Sequence, residues 1–510
     1  MSGMHNPKKI THSLLLACPA LLLLAASVRA DVRLPNLFTD NMVLQQRMKA
    51  PVWGWADEGE EVTVSFRGQK VKTVAKDGKW MVKLSAMKAG GPDELTVTGK
   101  NSITIKNVLV GEVWVCSGQS NMEFPIENSF ESKPDIEACA NPMIHLIKVP
   151  KVKANEPKDD IKATWQECNP QSILGFTAVG YYFGRDLQKA RHVPVGLIET
   201  SWGGSPAEVW MREAVLSDNP RYKKEILDGY AASLSKYETA HAEYEKESGE
   251  AKAAGKPFEK KAPQRPTWKP AELYNGMIAP LVPYAIKGAT WYQGESNAGR
   301  SEQYRSLFAD MIRNWRQDWN EGDFTFLAVQ LAPFMPVKEE PAESGWAELR
   351  EAQLLATKAL PKVGMAVITD VGDPKDIHPK KKRPVGERLA LAARGIAYGE
   401  SIVYSGPSYR KMQVKGDKVV LSFDNVGAGL EARDGALKGF AICGEDHKFV
   451  WANAEIDGKT VVVSCASVPK PVAVRYGWAD CPVVNLWNKD GLPASPFRTD
   501  DFPMITAGKN

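Results

Sequence analysis

The 510-residue sequence has few histidines, no cysteine spacing typical of zinc sites and little net charge. Five of its seven histidines follow residue 30, and no two of them form a His-x-x-x-His pair. Six cysteines follow residue 30 without a Cys-x-x-Cys motif, which argues against a structural zinc site. The formal charge of +4 excludes the strongly basic surface typical of nucleic-acid binding. We therefore expect no metal, no other cofactor and no nucleic-acid partner.

Long apolar runs are also absent, with one exception near the start. Lys8 and Lys9 precede an apolar run over residues 14–26, and residues 28–30 fit a small-x-small cleavage site. The run is too short for a membrane span and is typical of a secretory signal peptide. We predict a signal peptide over residues 1–30 and a secreted or periplasmic protein that is not membrane-bound after its removal. Without Lys8, Lys9 and Arg29 the formal charge is +1.

The period of the hydrophobic pattern changes twice along the chain. Residues 31–110 show short alternating strands separated by turns, typical of a β-sandwich, and this pattern returns over residues 401–510. Between them, strands alternate with amphipathic helices, which predicts an α/β, doubly wound domain with a mainly parallel sheet over residues 111–400. Its predicted strands lie at 108–116, 194–200, 285–293, 324–331 and 364–370, and its predicted helices at 177–190, 206–216, 302–318, 345–359 and 384–399.

A Lys-, Glu- and Ala-rich segment interrupts the α/β pattern at about residues 215–270. Larger side chains recur there at alternating spacings of three and four, namely Leu227, Tyr230, Leu234, Tyr237, His241 and Tyr244. This spacing is typical of one face of a helix. We predict an inserted helical excursion that packs over the domain or near the mouth of a site.

The first strand of the α/β region ends in the turn Ser-Gly-Gln-Ser-Asn, residues 117–121. A turn of this kind exposes one hydroxyl at the carboxyl end of a buried strand, and Ser120 is the candidate nucleophile. Met122 occupies the place where the Gly-x-Ser-x-Gly elbow of α/β-hydrolases needs its second glycine, which disfavours that family. Taken alone, the pentapeptide also fits a polar turn without a chemical role.

Further polar turns follow other predicted strands. They are residues 202–205, residues 293–297, and the loop from Asp370 to His378. Because parallel strands of a doubly wound sheet bind ligands beyond their carboxyl ends, we expect these turns to lie on one edge with Ser120. His378 is the candidate base, since it is the one of five histidines that follows carboxylates at a predicted strand end.

Together these motifs resemble those of the sialate O-acetylesterase family, an SGNH-type branch of the carbohydrate esterases. The resemblance rests on residues 118–122, 202–205, 291–297 and 376–379, and it extends to residues 41–45 and 491–499 near the two ends. It implies an SGNH-hydrolase-like domain and a serine esterase that removes O-acetyl groups from carbohydrate, foremost from O-acetylated sialic acid. An esterase for acetylated plant polysaccharide such as xylan is the alternative, and a non-catalytic sugar-binding protein is a more remote one.

The resemblance also implies roles for individual residues. Ser120 would be the nucleophile and His378 the general base. The oxyanion hole would consist of the Ser120 N–H, a glycine N–H at Gly203 or Gly204, of which we choose Gly204, and the side-chain amide of Asn297.

A Ser-His-Asp triad also needs an Asp that orients His378, and the sequence offers more than one candidate for it. SGNH enzymes usually carry the orienting Asp three residues before the His, where this sequence has Lys375. We predict Asp376 in this role, with Asp373 and a backbone carbonyl or water as alternatives.

Four neighbouring side chains are predicted to bind the substrate: Gln119, Gln293, Glu295 and Trp202. The aromatic residues Trp202, Trp291 and Tyr292 would crowd the site and restrict it to a short acyl group, although they fit a core position equally well.

Overall fold

The structure is a computed structural model that describes residues 1–4 and 31–509. The apolar run and the cleavage site of the predicted signal peptide lie outside the described residues. The fold is mixed α/β, with a large and mostly parallel central sheet and additional β-sheet regions before and after it. Within the described residues, no helix is both long enough and apolar enough to cross a membrane.

The first seven strands lead from the N-terminal β region into the central sheet. They are β1 (Val43–Gln45), β2 (Ala50–Trp55), β3 (Glu61–Phe66), β4 (Gln69–Val74), β5 (Lys79–Leu84), β6 (Gly90–Thr98) and β7 (Ser102–Gly118). The first part of β7 pairs antiparallel with β6, and the same strand then enters the parallel sheet. Residues 108–118 are buried throughout, as is typical of a parallel strand that is covered on both faces.

The other strands of the central sheet are β8 (Asn141–Lys148), β9 (Gln166–Cys168), β10 (Val195–Ser201), β11 (Gly288–Tyr292), β12 (Thr325–Val329) and β13 (Val363–Ala366). Their order is β13-β12-β11-β7-β10-β8-β9. All neighbours are parallel except β9, which is antiparallel to β8. The chain changes direction across the sheet between β10 and β11, which lie on either side of β7. The carboxyl end of β7 is therefore the topological switch point at which ligands bind in such sheets.

The helices are α1 (Ser120–Glu123), α2 (Lys133–Glu137), α3 (Ala178–Arg191), α4 (Glu213–Asp218), α5 (Pro220–Tyr222), α6 (Gly229–Ala253), α7 (Ser301–Trp319), α8 (Gly345–Ala359) and α9 (Arg383–Ile396). Alternate residues of β7 point into two separate cores. Val113 and Val115 pack in the core that contains α7 and α8, whereas Trp114 and Cys116 pack in the core that contains α3 and α9. Helices thus cover both faces of the central sheet.

Ten further strands form the C-terminal β region. They are β14 (Ser408–Lys415), β15 (Lys418–Asp424), β16 (Leu430–Ala432), β17 (Phe440–Cys443), β18 (Val450–Trp451), β19 (Asn453–Asp457), β20 (Thr460–Ser464), β21 (Ala473–Tyr476), β22 (Leu486–Asn488) and β23 (Phe497–Arg498). Two four-stranded sheets, β14-β15-β20-β19 and β18-β17-β21-β23, share a hydrophobic core of their own. The domain boundaries after residues 110 and 400 stay a prediction.

Two sequence-based expectations need correction. The strand predicted to reach Asp370 ends at Ala366, because its partner strand β12 ends at Val329, which pairs with Ala366. The inserted helix exists as α6, but it has no fully buried residue. Its aromatic stripe meets the returning chain, where the rings of Tyr244 and Phe258 lie 5.2 Å apart. The helix therefore packs mainly against its own insertion and not over the sheet.

Candidate active site

The turn before Ser120 is held by both neighbouring strands. Gly118 has a φ of +138°, and a Cβ at this position would lie 2.2 Å from the carbonyl oxygen of Tyr292. The Gln119 N–H donates to that same oxygen at 3.0 Å, and the Trp202 N–H donates to the Gly118 carbonyl at 3.0 Å. Only glycine tolerates this backbone conformation together with so close an approach. The central sheet therefore fixes the chain up to the residue before Ser120.

Ser120 and His378 are adjacent, although 258 residues separate them in the sequence. Ser120 Oγ lies 2.8 Å from His378 Nε2. A serine hydroxyl can donate to this nitrogen only if Nε2 is unprotonated, which places the imidazole proton on Nδ1. The other serines of the motifs differ, since the hydroxyls of Ser205 and Ser296 donate to backbone carbonyls at 2.7 Å and 2.9 Å.

The carboxylate of Asp376 lies near His378 but bonds first to its backbone. Asp376 Oδ1 accepts the His378 backbone N–H at 2.9 Å and is 3.9 Å from His378 Nδ1. Asp373 instead accepts the backbone N–H of Lys375 at 2.8 Å, so it stabilises its own turn. Among the two predicted carboxylates, Asp376 is thus the one near the ring, at a distance longer than a hydrogen bond.

The pKa of His378 is lowered from its usual value. Burial is the main cause, because it disfavours the imidazolium, and the positive charge of Lys382 acts in the same direction. The nearby carboxylate of Asp376 opposes both effects. A lowered pKa widens the pH range over which the imidazole is neutral, and the neutral form is the one that can accept a proton.

The glycine turn after β10 lies directly against Ser120. A Cβ on Gly203 would be 3.2 Å from Ser120 Cβ and 3.3 Å from Glu123 Oε2. The Gly203 N–H already donates to Glu123 Oε2 at 2.7 Å. Gly204 differs, since it has a φ of +76° and its N–H meets no acceptor within residues 1–4 and 31–509. Among the described residues the Gly204 N–H is therefore without an acceptor, whereas that of Gly203 has one.

The side chain of Asn297 is buried and has a fixed orientation. Its Oδ1 accepts the backbone N–H of Ala207 at 2.9 Å, which identifies the oxygen because an N–H can only donate. Its Nδ2 donates to Glu208 Oε2 at 3.0 Å. An amide nitrogen has two hydrogens, so one of them is not used by Glu208.

The four residues predicted to bind substrate do not share one environment. Gln293 is fully buried, and its amide bonds to Asn297 Oδ1 at 2.7 Å and to Tyr304 Oη at 2.9 Å. Gln119 is also buried, and its Oε1 accepts long hydrogen bonds from the N–H groups of Gly294 and Ser296, both at 3.4 Å. These two side chains connect the turns to one another, and their predicted role in substrate binding stays a prediction.

Trp202 and Glu295 are more open than the two glutamines. Trp202 is half-buried and packs edge-to-face on Trp268, with 5.5 Å between the ring centroids. Glu295 accepts a hydrogen bond from Asn121 at 2.5 Å. The other two aromatic candidates, Trp291 and Tyr292, are fully buried and belong to the core. Of the three aromatic residues expected near the site, only Trp202 can therefore meet a substrate.

Sequence reasoning missed four polar residues that hold this site together: Asn121, Glu123, Glu208 and Lys382. One signal was available for Lys382, because it is the N-cap residue of α9, where a positive charge opposes the helix dipole. The described residues contain no group of three or more His, Cys, Asp or Glu side chains that could hold a metal ion.

Comparison with known proteins agrees with this fold. The family described as carbohydrate esterase, sialic acid-specific acetylesterase matches residues 110–242 and 262–394. Sialate O-acetylesterase of Rattus norvegicus is 30% identical, over 90% of this chain and 93% of that protein. Sialate O-acetylesterase of Homo sapiens is 29% identical, over 94% and 95%. The crystal structure of a carbohydrate acetylesterase from Xanthomonas citri is 40% identical, with a TM-score of 0.80, and covers 92% of this chain and 100% of that chain.

These similarities define a carbohydrate esterase, whose substrate is an acetylated carbohydrate. The chain belongs to the sialic acid-specific acetylesterase family, as its motifs led us to expect. The alternative of a non-catalytic sugar-binding protein is therefore not retained.

Proposed function

We propose that this esterase removes O-acetyl groups from carbohydrate, foremost from O-acetylated sialic acid, by a serine mechanism. Ser120 is the nucleophile and His378 the general base in this proposal. The observation that carries it is the 2.8 Å contact between Ser120 Oγ and His378 Nε2 at the carboxyl end of β7. A serine hydroxyl becomes an effective nucleophile when a positioned base removes its proton.

The reaction proceeds in two acyl-transfer steps. His378 Nε2 accepts the Ser120 proton as Oγ bonds to the acetyl carbonyl carbon, and the carbonyl π electrons move onto the oxygen. The tetrahedral intermediate collapses, the ester C–O bond breaks, and the imidazolium protonates the departing sugar oxygen. Water then attacks the acetyl-serine with the same base, and acetate leaves as the proton returns to Ser120.

The developing negative charge needs donors that are in place before the reaction. We assign this role to the N–H groups of Ser120 and Gly204 and to the second Nδ2 hydrogen of Asn297. The free Gly204 N–H and the fixed amide of Asn297 support the assignment. Such preorganised donors stabilise an oxyanion strongly because they do not have to reorient during the reaction.

The names of the relatives favour sialic acid as the sugar. Both mammalian relatives are sialate O-acetylesterases. The Xanthomonas citri protein is described as a carbohydrate acetylesterase, which is broader and leaves acetylated plant polysaccharide such as xylan as the alternative substrate. The half-buried Trp202 offers a flat surface to a sugar or acetyl group in either case.

We also propose the finer architecture and location. The central region, residues 111–400, is an SGNH-hydrolase-like domain with the insertion at about 215–270, flanked by β-sandwiches over residues 31–110 and 401–510. Residues 1–30 act as a cleaved signal peptide, and the mature enzyme is secreted or periplasmic. The packing of β15 and β20 on β17 and β21 around one core supports the second sandwich.

Acetate release from two substrates, O-acetylated sialoglycan and acetylated xylan, tests the function. We expect Ser120→Ala to fold normally and to lose roughly 10⁴- to 10⁶-fold in turnover. The matched control is Ser217→Ala, an exposed serine outside the site. Near-normal turnover of Ser120→Ala would exclude Ser120 as nucleophile. Release from xylan alone would replace the sialic acid assignment with the plant-polysaccharide one.

A further inference from the structure

Lys382 is a fully buried lysine in the loop that leads from His378 to α9. Its Nζ donates to Asn121 Oδ1 at 2.5 Å. Burial of an ammonium group is costly unless nearby groups compensate the lost hydration. The surroundings do so in part, since Nζ lies 4.8 Å from the ring centroid of Phe124 and 5.3 Å from that of Tyr292. A lysine at this depth requires an explanation, and the hydrogen bond from its Nζ to Asn121 supplies one.

Asn121 follows the proposed nucleophile directly and is fully buried. Its Nδ2 donates to Glu295 Oε1 at 2.5 Å and to the backbone carbonyl of Ile377 at 3.0 Å. An ammonium group has hydrogens and no lone pair, so Lys382 can only meet the oxygen side of the amide. Both hydrogens of the amide must then point at Glu295 and Ile377. Lys382, Glu295 and the Ile377 carbonyl therefore all select the same orientation of the Asn121 amide, and Lys382 is the partner that holds its oxygen.

The hydrogen bond to Ile377 reaches the residue immediately before His378. This part of the chain lies between β13 and α9 and has no regular hydrogen-bonded structure of its own. Other backbone groups of this segment bond elsewhere: the His378 N–H donates to Asp376 Oδ1, and the Lys380 carbonyl accepts from Ser129 and Phe130. The Asn121 amide is therefore a direct connection between the nucleophile turn and the base.

We infer that Lys382 is a positioning residue of the esterase, whose ammonium group orients the Asn121 amide and so holds the His378 loop against Ser120. The inference rests on the proposed roles of Ser120 and His378. It assigns Lys382 no contact with substrate, because the side chain is buried behind Asn121.

The charge of Lys382 also acts on the base. The titratable groups that face it are Glu295, Asp376, His378 and the unpaired hydroxyl of Tyr292. Burial lowers the pKa of Lys382 to about 7, while Glu295 and Asp376 favour its charged form. In turn the Lys382 charge lowers the pKa of His378. Removal of this charge should therefore raise the pKa of His378 and move the acidic limb of kcat/KM to higher pH.

The decisive comparison is Lys382→Met against Lys381→Met, with p-nitrophenyl acetate as substrate. Both variants remove one lysine charge from the same loop, but Lys381 is exposed. We expect Lys382→Met to lose roughly 10- to 100-fold in kcat with little change in KM, because a displaced base costs turnover. We expect its acidic limb to move to higher pH, because a positive charge that disfavours the imidazolium has been removed. Lys381→Met should match the wild type in kcat, KM and pH profile.

A merely structural role would lower activity without moving the acidic limb, and that result would overturn the inference. If Lys382→Met fails to fold, the double variant Lys382→Met, Glu295→Gln removes the opposite charge as well and is expected to fold. A wild-type kcat in the double variant would likewise overturn the inference.

The histidine pKa can also be measured without catalysis. NMR titration of ring-labelled histidine in a Ser120→Ala background should show a higher pKa for His378 when Lys382 is Met. An unchanged pKa there would contradict the inference, whatever the turnover. Retained activity of Ser120→Ala would instead contradict the proposed function, so the two failures are distinguishable.

Discussion

The two sides of the candidate active site are built in different ways. Ser120 follows a buried strand at once, and the next two residues, Asn121 and Met122, are fully buried. His378 lies in an irregular segment between β13 and α9, and its side chain is 39% exposed. The sheet thus positions the proposed nucleophile, whereas single contacts from distant segments position the proposed base.

This difference shows where the site depends on particular residues. On the base side, the backbone carbonyl of Ile377 accepts from Asn121, and the Lys380 carbonyl accepts from Ser129 Oγ at 3.1 Å and from the Phe130 N–H at 2.9 Å. Each of these contacts comes from a segment far away in the sequence. Substitutions on the base side should therefore change the pH dependence and turnover, while those on the nucleophile side should act by distorting a rigid turn.

Among the variants that contrast the two sides of the site, the largest effect should come from the carboxylate proposed to orient His378. If Asp376 has this role, Asp376→Asn should reduce turnover roughly 10³-fold or more, because the imidazolium loses its partner. Asp373→Asn is the matched control, since Asp373 stabilises only the turn at Lys375. Steady-state kinetics on both variants decides the matter. Near-full activity in both would favour a Ser-His dyad.

A somewhat smaller loss is expected from the rigid side of the site. Asn297→Ala removes one proposed oxyanion donor and should reduce kcat about 10²- to 10³-fold with little change in KM. The acidic limb of the pH profile should stay in place, in contrast to the Lys382 variant. A rise in KM alone would instead identify Asn297 as a substrate-binding residue.

The smallest of these effects should follow from crowding the nucleophile turn. Gly203→Ala places a methyl group 3.2 Å from Ser120 Cβ, a contact that requires a small backbone shift. We expect roughly a tenfold loss of kcat without a change in pH profile. Gly299→Ala is the control, because a Cβ there has no atom within 4 Å. Equal activity of the two variants would show that the turn is less rigid than its contacts imply.

Much of the central fold follows from the sequence, because long periodic segments carry a strong signal. The helix predicted at residues 345–359 is α8, and the one predicted at 302–318 lies within α7. The end of the fifth strand could not be predicted, because it depends on where its partner β12 stops. The packing of α6 could not be predicted from the sequence pattern either. A helical stripe shows which face is apolar, but not which part of the protein covers it.

The candidate site also has a part that the sequence predicted and a part that it did not. Short motifs singled out Ser120 and His378, and the structure places them in contact. The sequence did not show that Asn121, Glu295 and Lys382 contact one another beside His378. These residues are far apart in the sequence and meet only in the folded chain. Gln119 and Gln293 were assigned to substrate because they are polar residues in the right turns. Their burial and their hydrogen bonds to the neighbouring turns are not visible in a local pattern, and their assignment to substrate stays a prediction.

The continuous strand β7 connects the N-terminal β region with the candidate active site. The strand has 17 residues at about 3.3 Å each and is therefore about 55 Å long. It begins in the N-terminal β region and ends two residues before Ser120. A cut at residue 110 would separate the part of β7 that pairs with β6 from the part that pairs with β10 and β11. One strand therefore joins the N-terminal β region to the turn that carries Ser120.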